Sequence, residues 1–247
     1  MKKTVVLLVA ITVVLSAALV SPAMAAIEVE GDAYVGVFDK YLWRGFDLSG
    51  SEAVAQGGVD VSAGNFTLSY WTNVQLNSDD DAALESGEAT ENDFVIDYSF
   101  DVNDLVSVSV GNIYYMLDGY DDTNELYLGV SLNTILEPSL TVYYDWDECE
   151  EDGLFYTLSV GHGLDVTDKL SLGLGALLSY NQENDFNVGD YSDWHNLELS
   201  LGVDYAVTDQ ITISPSFLYS EPMSDDAEDI AGIEEETLVG VTVTLAF

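Results

Sequence analysis

The last segment of the chain alternates between apolar residues and residues that are small or polar. Val239, Val241, Val243, Leu245 and Phe247 are apolar, and only Gly, Thr and Ala stand between them. Strict alternation of this kind predicts a β-strand with one apolar face. A single strand does not reveal whether that face contacts a protein core or lipid. The pattern in the rest of the chain is needed to distinguish the two.

The same alternation recurs along the chain from Glu30 onward. About twelve segments of roughly nine to eleven residues show it, which is the length that a tilted strand needs to cross the hydrocarbon of a bilayer. Residues 94–100 and 197–205 are the clearest examples. The pattern predicts an all-β protein, and by itself it leaves a soluble β-sandwich and a membrane barrel open.

The connections between these segments distinguish the two folds, because short and long ones alternate. Short connections rich in turn residues lie near positions 64, 103, 134, 168 and 208, and longer acidic ones lie between them. Short turns at one rim and long loops at the other are typical of outer-membrane barrels, whose short turns are periplasmic. We therefore predict a transmembrane antiparallel up-and-down β-barrel of about twelve strands.

The N-terminus predicts export from the cytoplasm. Lys2 and Lys3 precede an apolar stretch that ends near Val20, and Ala23 and Ala25 provide the small residues that a signal peptidase requires. We predict a signal peptide over residues 1–25 and an outer-membrane barrel over residues 26–247. A bacterial outer-membrane location follows, with membrane lipid as a partner.

The C-terminal aromatic residue fits this location. A final strand that closes on an aromatic residue is the usual signature of bacterial outer-membrane barrels, and we interpret Phe247 as a signal for the barrel-assembly machinery rather than as a packing residue.

The charge of the chain is strongly negative. It holds 45 acidic residues against 5 lysines and arginines, for a net charge of −40. With the leader removed, Lys40, Arg44 and Lys169 are the remaining fixed cations, so a nucleic-acid partner is excluded. Hydrophobic residues make up 48% of the chain, which argues against disorder. The single cysteine, Cys149, is expected to be a free surface thiol.

Tyrosine and tryptophan gather near the predicted ends of strands, mostly toward the long loops. Such residues prefer the headgroup level, so we interpret them as an aromatic girdle, with ligand stacking as the alternative. Trp71 differs, because its position in the strand points it into the barrel. The girdle candidates are Tyr41, Trp43, Tyr70, Tyr114, Tyr115, Tyr143, Tyr144, Trp146, Tyr180, Tyr191, Trp194 and Tyr219.

Several short motifs resemble a known family. They are Asp39-Lys40-Tyr41-Leu42-Trp43-Arg44-Gly45-Phe46, then Gln56-Gly57-Gly58-Val59-Asp60 and Tyr70-Trp71-Thr72-Asn73. With the leader and the final Phe247, the chain resembles the TorF-type porin family of Gram-negative outer membranes over its whole mature length. The resemblance implies a small porin-like barrel, and it implies neither a particular substrate nor catalytic residues.

Alternation also predicts which charged side chains face the interior of the barrel. It places Lys40 and Arg44 on the inner side of the first strand, and we expect Arg44 to pair with Asp60 on the next strand. Two roles remain open for this pair, namely lining a pore and closing the interior as a structural ion pair. The pore-lining candidates are Lys40, Arg44, Asp60, Trp71, Asp97, Glu125, Glu198 and Asp204.

The acidic loops suggest cation attraction. Carboxylates at 79–81, 145–152 and 225–236 are possible ligands of divalent cations, but none has EF-hand spacing, and a solvated anionic surface is the simpler interpretation. No cofactor or metal is predicted.

Catalysis is not expected. The two histidines, His162 and His195, are predicted at opposite rims and lie beside no recognisable nucleophile motif. We predict a diffusion channel for cations or small neutral solutes. A non-conducting surface barrel that binds a partner or divalent cations is the alternative, and a lipid hydrolase is a minor one.

Overall fold

The computed structural model describes residues 28–77, 85–149 and 153–247. The predicted leader lies outside the described residues, as do the carboxylates at 79–81 and at 150–152. Apart from one short π-helical turn, Ala227–Ala231, the regular structure of the described residues is β. The strands in chain order are β1 (Val29–Phe38), β2 (Leu42–Trp43), β3 (Phe46–Asp47), β4 (Val54–Ala63), β5 (Phe66–Gln75), β6 (Ala89–Asn103), β7 (Val106–Leu117), β8 (Thr123–Leu132), β9 (Ser139–Asp145), β10 (Leu154–Thr167), β11 (Leu170–Gln182), β12 (Ser192–Ala206), β13 (Ile211–Pro222) and β14 (Glu236–Ala246).

Twelve of these strands close into one antiparallel barrel, while β2 and β3 form a separate two-stranded hairpin. Each barrel strand pairs with its neighbours in the barrel order, and the ring closes where β1 pairs with both β14 and β4. Closure leaves no unpaired strand edge, which is the condition for a sheet to lie in lipid. The predicted up-and-down barrel of twelve strands is confirmed.

The outer surface of the barrel is apolar. Residues that alternate outward are large and hydrophobic: Phe94 is 48% exposed and Leu201 is 42% exposed. A continuous apolar surface of this size is unfavourable in water and favourable in hydrocarbon. The fold and this surface are those of a bacterial outer-membrane protein. Among the described residues, no helix is long and apolar enough to cross a membrane.

The two ends of the barrel differ in their connections, as the sequence predicted. Five short turns, such as residues 64–65 and 168–169, lie at what we call the short-turn end. The longer connections lie at the opposite end, which we call the long-loop end. Three of them, residues 39–53, 183–191 and 223–235, fold together over the barrel and bury an apolar cluster there. That cluster contains Phe155, Val188, Tyr191, Ala227 and Ile233.

The last residue closes the seam of the barrel at the short-turn end. The backbone N–H of Phe247 donates to the carbonyl oxygen of Gly31 at 2.8 Å, and the N–H of Gly31 donates back at 3.0 Å. A Cβ atom on Gly31 would lie 2.8 Å from the phenyl ring of Phe247, so the ring packs where only glycine leaves room. Phe247 therefore pairs with Gly31 through its backbone and rests one side of its ring there, while 59% of the residue stays exposed.

Part of the predicted aromatic girdle lies inside the barrel. Trp146 and Trp194 are 40% and 46% exposed on the outside, as expected for a girdle. In contrast, Tyr41, Tyr115 and Tyr191 are buried. Burial of these tyrosines follows from the loops that fold inward, which strand alternation alone does not reveal.

Candidate functional site

A small hairpin places an arginine inside the long-loop end of the barrel. Strands β2 and β3 pair Trp43 with Phe46, which leaves Arg44 and Gly45 as a two-residue turn. Both turn residues have positive φ, 50° at Arg44 and 83° at Gly45, as a type I′ hairpin turn requires. A positive φ is unfavourable for arginine, so contacts of its side chain must hold this turn in place.

Those contacts centre on Glu125 of strand β8. The guanidinium of Arg44 donates two parallel hydrogen bonds to the Glu125 carboxylate, Nη1 to Oε1 at 2.9 Å and Nη2 to Oε2 at 2.7 Å. The hydroxyl of Tyr115 donates to Oε2 at 2.9 Å, and the side-chain amide of Asn187 donates to Oε1 at 3.3 Å. The side chains of Arg44 and Glu125 are 9% and 0% exposed. A buried ion pair with this many partners is well satisfied.

Aromatic rings complete the surroundings of the guanidinium. Its central carbon lies 4.4 Å from the ring centroid of Trp43, 5.1 Å from that of Tyr143 and 4.3 Å from that of Phe155. Burial alone would lower the pKa of Arg44, but the charge of Glu125 outweighs this effect and leaves the pKa above its ordinary value. The guanidinium is therefore permanently charged within an aromatic cage.

A β-bulge in strand β12 places His195 against the Arg44-Gly45 turn. Leu178 pairs with Leu197, but Tyr180 pairs with Trp194, so two residues of β12 oppose one of β11. The bulge turns both His195 and Asn196 into the barrel, where both are fully buried.

The imidazole of His195 connects two of the inward-folded loops. Its Nε2 lies 2.6 Å from the carbonyl oxygen of Arg44, and the hydroxyl of Tyr191 contacts its Nδ1. A carbonyl can only accept a hydrogen bond, so Nε2 carries the hydrogen and Nδ1 accepts from Tyr191.

Lys40 and Tyr41 also attach the first loop to the wall. The Nζ of Lys40 lies 2.5 Å from a carboxylate oxygen of Glu236 on β14, and within the loop it lies 3.8 Å from one of Asp47. The hydroxyl of Tyr41 donates to Glu91 at 3.0 Å, and its ring centroid lies 5.4 Å from that of Trp71. We call residues 39–53 with these attachments the loop plug.

The predicted pairing of Arg44 with Asp60 is wrong. Strand β1 ends at Phe38, so Lys40 and Arg44 lie on the loop plug and not on the first strand. Asp60 pairs across β1 and β4 with Asp32, in the half of the barrel that the plug does not reach. Strand alternation could not place residues that had left the strand.

The other predicted pore-lining carboxylates lie on the barrel strands. Three of them accept hydrogen bonds from other strand residues. Asp97 accepts from the hydroxyl of Tyr127 at 2.5 Å, and Asp204 accepts from the hydroxyl of Ser214 at 2.6 Å. Glu198 accepts from Asn196 at 3.0 Å, beside the bulge. Glu125 alone of the predicted wall carboxylates meets Arg44.

The short-turn half of the barrel has free space inside. Gly163, Gly173 and Gly202 pair with one another across β10, β11 and β12, and a Cβ atom on any of them would have no atom within 4 Å. A cavity of about 510 Å³ lies at this end between Asp32, Asp60 and neighbouring residues. The inside is therefore filled by loops near the long-loop end and open near the short turns.

Cys149 is less accessible than the sequence suggested. Its thiol is half-buried and donates a hydrogen bond to Asn184 Oδ1 at 3.2 Å. Burial raises the pKa of Cys149 to about 12, so the reactive thiolate is scarce at neutral pH.

Sequence reasoning missed Tyr115, Phe155, Asn187 and His195 as parts of this site. The dipeptide Arg44-Gly45 between Trp43 and Phe46 was an available hairpin signal. No comparable signal marked Asn187, which reaches Glu125 from a loop distant in sequence.

The fold is similar to that of solved outer-membrane channels. The NanC porin superposes with a TM-score of 0.56 at 14% identity, covering 87% of this chain and 98% of that one. The KdgM porin superposes with a TM-score of 0.53 at 13% identity, covering 88% of this chain and 99% of that one. An outer-membrane channel from Pseudomonas putida F1 gives 0.52 at 12% identity, covering 92% and 100%. At these identities the likeness establishes a porin-type barrel fold.

Comparison with family models and with curated proteins found no match. The TorF-type resemblance therefore stays a prediction.

Proposed function

We propose that the protein is an outer-membrane diffusion channel that prefers cations and small uncharged solutes, and that the loop plug restricts it. The observation that carries this proposal is the open, acidic inner wall of the short-turn half. Carboxylates line it, and the paired glycines Gly163, Gly173 and Gly202, which we call the glycine row, leave it unfilled. The wall carboxylates in this half are Asp32, Asp60, Asp97, Asp101, Asp165 and Asp204.

The positions of the cations support a preference for positive solutes. Within the described residues, Lys40 and Arg44 are held by Glu236 and Glu125 at the long-loop end. Lys169 lies in the turn between β10 and β11, where its Nζ contacts the carbonyl oxygen of Val207 at 3.5 Å. A wall of one charge sign, surrounded by low-dielectric lipid, concentrates ions of the opposite sign.

The long-loop end adds to this preference. Glu221, Glu228, Glu234 and Glu235 line a cavity of about 400 Å³ there. With the short turns periplasmic, this cavity lies on the extracellular side, and the acidic loops of that rim are the proposed vestibule. Export by the predicted signal peptide and insertion through Phe247 by the barrel-assembly machinery belong to the same proposal, as does membership of the TorF-type family.

The test is conductance in planar lipid bilayers. The purified, folded barrel should give discrete current steps, and a salt gradient should shift the reversal potential toward the cation equilibrium value. The variant Asp60→Asn with Asp204→Asn should reduce that shift without abolishing current. Anion preference in the unchanged protein would contradict the proposed selectivity, and the absence of any current would contradict the channel.

The filled long-loop end favours a second candidate. If the loop plug never moves, the barrel is closed and its acidic loops bind a partner at the surface. A folded barrel that stays silent in bilayers, both unchanged and as Arg44→Ala, would support that candidate.

A further inference from the structure

The contacts of Arg44 describe a binding site that the barrel wall builds and the loop plug occupies. Four neighbouring strands contribute to it: Tyr115 from β7, Glu125 from β8, Tyr143 from β9 and Phe155 from β10. These residues are independent of the plug hairpin. The wall therefore presents a buried carboxylate flanked by aromatic faces, which is the chemistry that recognises an organic cation.

We propose that this wall site binds solutes that carry a guanidinium group, and that Arg44 is its built-in occupant. The two parallel hydrogen bonds to Glu125 select a planar fork over a point charge. The rings at 4.3 Å and 5.1 Å select a flat, weakly hydrated cation over a metal ion.

The occupant depends on the wall for its position more than on its own hairpin. Strands β2 and β3 have two residues each, which is too few for a stable hairpin alone. The turn also holds Arg44 at a φ of 50°, a conformation that its side-chain contacts must maintain. An occupant held in this way can exchange with a free ligand that makes the same contacts.

Strand β10 connects the site to the open part of the barrel. Strand β10 passes from Phe155 at the site to Gly163 beside open space. A guanidinium solute attracted into the open half by the acidic wall would reach Glu125 by displacing Arg44. The inference rests on the proposed channel for its effect on current, but the binding itself does not require conduction.

The test is chemical rescue of Arg44→Ala, which leaves the site empty. Thermal unfolding midpoints and refolding yields in detergent are measured with millimolar methylguanidinium chloride, with methylammonium chloride, and with sodium chloride at equal ionic strength. We expect the midpoint of Arg44→Ala to fall by several degrees and methylguanidinium to restore most of that loss. Methylammonium should restore less, and sodium none.

The matched control is the double variant Arg44→Ala with Glu125→Gln, which removes the carboxylate and should not respond to methylguanidinium. Equal midpoints and equal refolding yields with and without methylguanidinium would overturn the inference, as would equal rescue by sodium or rescue of the double variant. Bilayer current separates the two proposals. Rescue in a barrel without current supports the site and rejects the channel, and current without rescue does the reverse.

Discussion

The two halves of this barrel belong to one sheet, but their inward-facing carboxylates have different surroundings. At the long-loop end, Glu125 is fully buried and accepts hydrogen bonds from Arg44, Tyr115 and Asn187. At the short-turn end, Asp60 faces Asp32 across the strand pair, and no salt bridge to either occurs among the described residues. The first arrangement fixes structure, whereas the second leaves charge available to solvent and solutes.

The difference shows that an inward carboxylate has no fixed role in a barrel wall. A buried carboxylate must be paired because its desolvation is unfavourable, and its removal then leaves a partner uncompensated. A carboxylate beside open lumen stays hydrated, so its main effect is on the local potential. The loops that fold inward determine which case applies.

Neutralising one carboxylate in each half should give the largest difference in stability between the two halves. Glu125→Gln leaves the buried guanidinium of Arg44 without a counter-charge, and we expect a loss of about 3–5 kcal/mol in the free energy of unfolding. Asp60→Asn relieves repulsion with Asp32, so its effect should be below about 0.5 kcal/mol. Urea unfolding of both variants measures these values. Similar losses in the two variants would mean that the halves do not differ.

The two histidines give a second matched pair. His195→Ala removes the hydrogen bonds to Arg44 and Tyr191 and leaves a cavity, at an expected cost of about 2 kcal/mol. His162 is exposed near the short turns, with its ring beside the carbonyl oxygen of Ile135. For His162→Ala we expect a loss of less than about 0.5 kcal/mol in the free energy of unfolding. The same unfolding titration compares them, and a larger loss at His162 would contradict the assigned supporting role of His195.

Acid should weaken the loop plug through Asp47. Burial alone would raise the pKa of Asp47, but hydrogen bonds from Ser51 and Ser49 and the charge of Lys40 outweigh this and lower it. A lowered pKa in the folded state stabilises the fold above the unfolded value of 3.8, and the contribution is lost as the pH falls through the folded value. Because Asp47 is partly exposed, we expect its ionised carboxylate to contribute less than about 1 kcal/mol to the free energy of unfolding.

The measurement is the free energy of unfolding between about pH 5 and pH 3, in the unchanged protein and in Asp47→Asn. The variant should show the smaller pH dependence over this range. An identical slope in both would remove Asp47 from the acid response.

The smallest change in stability is expected at the open glycine row. Gly202→Phe adds a ring where a Cβ has no neighbour within 4 Å, so the barrel should stay folded with nearly unchanged stability while the current falls. As control, a Cβ at Gly58 would lie 2.6 Å from the hydroxyl of Tyr34, so Gly58→Phe should destabilise the barrel. Bilayer current and thermal unfolding check both. Unchanged current in Gly202→Phe would show that the ring does not obstruct a conduction path.

Much of the fold could be predicted from the residues because strand alternation is local. The pattern from Val239 to Phe247 recurs in every barrel strand, and turn residues such as Asn103 and Asp168 mark the short connections. The candidate site was only partly predictable. Glu125 and Trp71 were placed inward by their strands, but Arg44 was assigned the wrong partner because it follows the end of β1.

Local pattern alone was enough to predict a barrel of about twelve strands, its apolar outer surface and the unequal connections at its two ends. These features follow from strand alternation and from the residue types at turns, both of which depend only on residues close together in the chain. Three features depend on tertiary contacts: residues 39–53 fold inward, a bulge turns His195 toward Arg44, and Arg44 pairs with Glu125 rather than with Asp60. The physical reason is that these contacts join residues far apart in the chain, and their formation depends on the closure of the whole barrel.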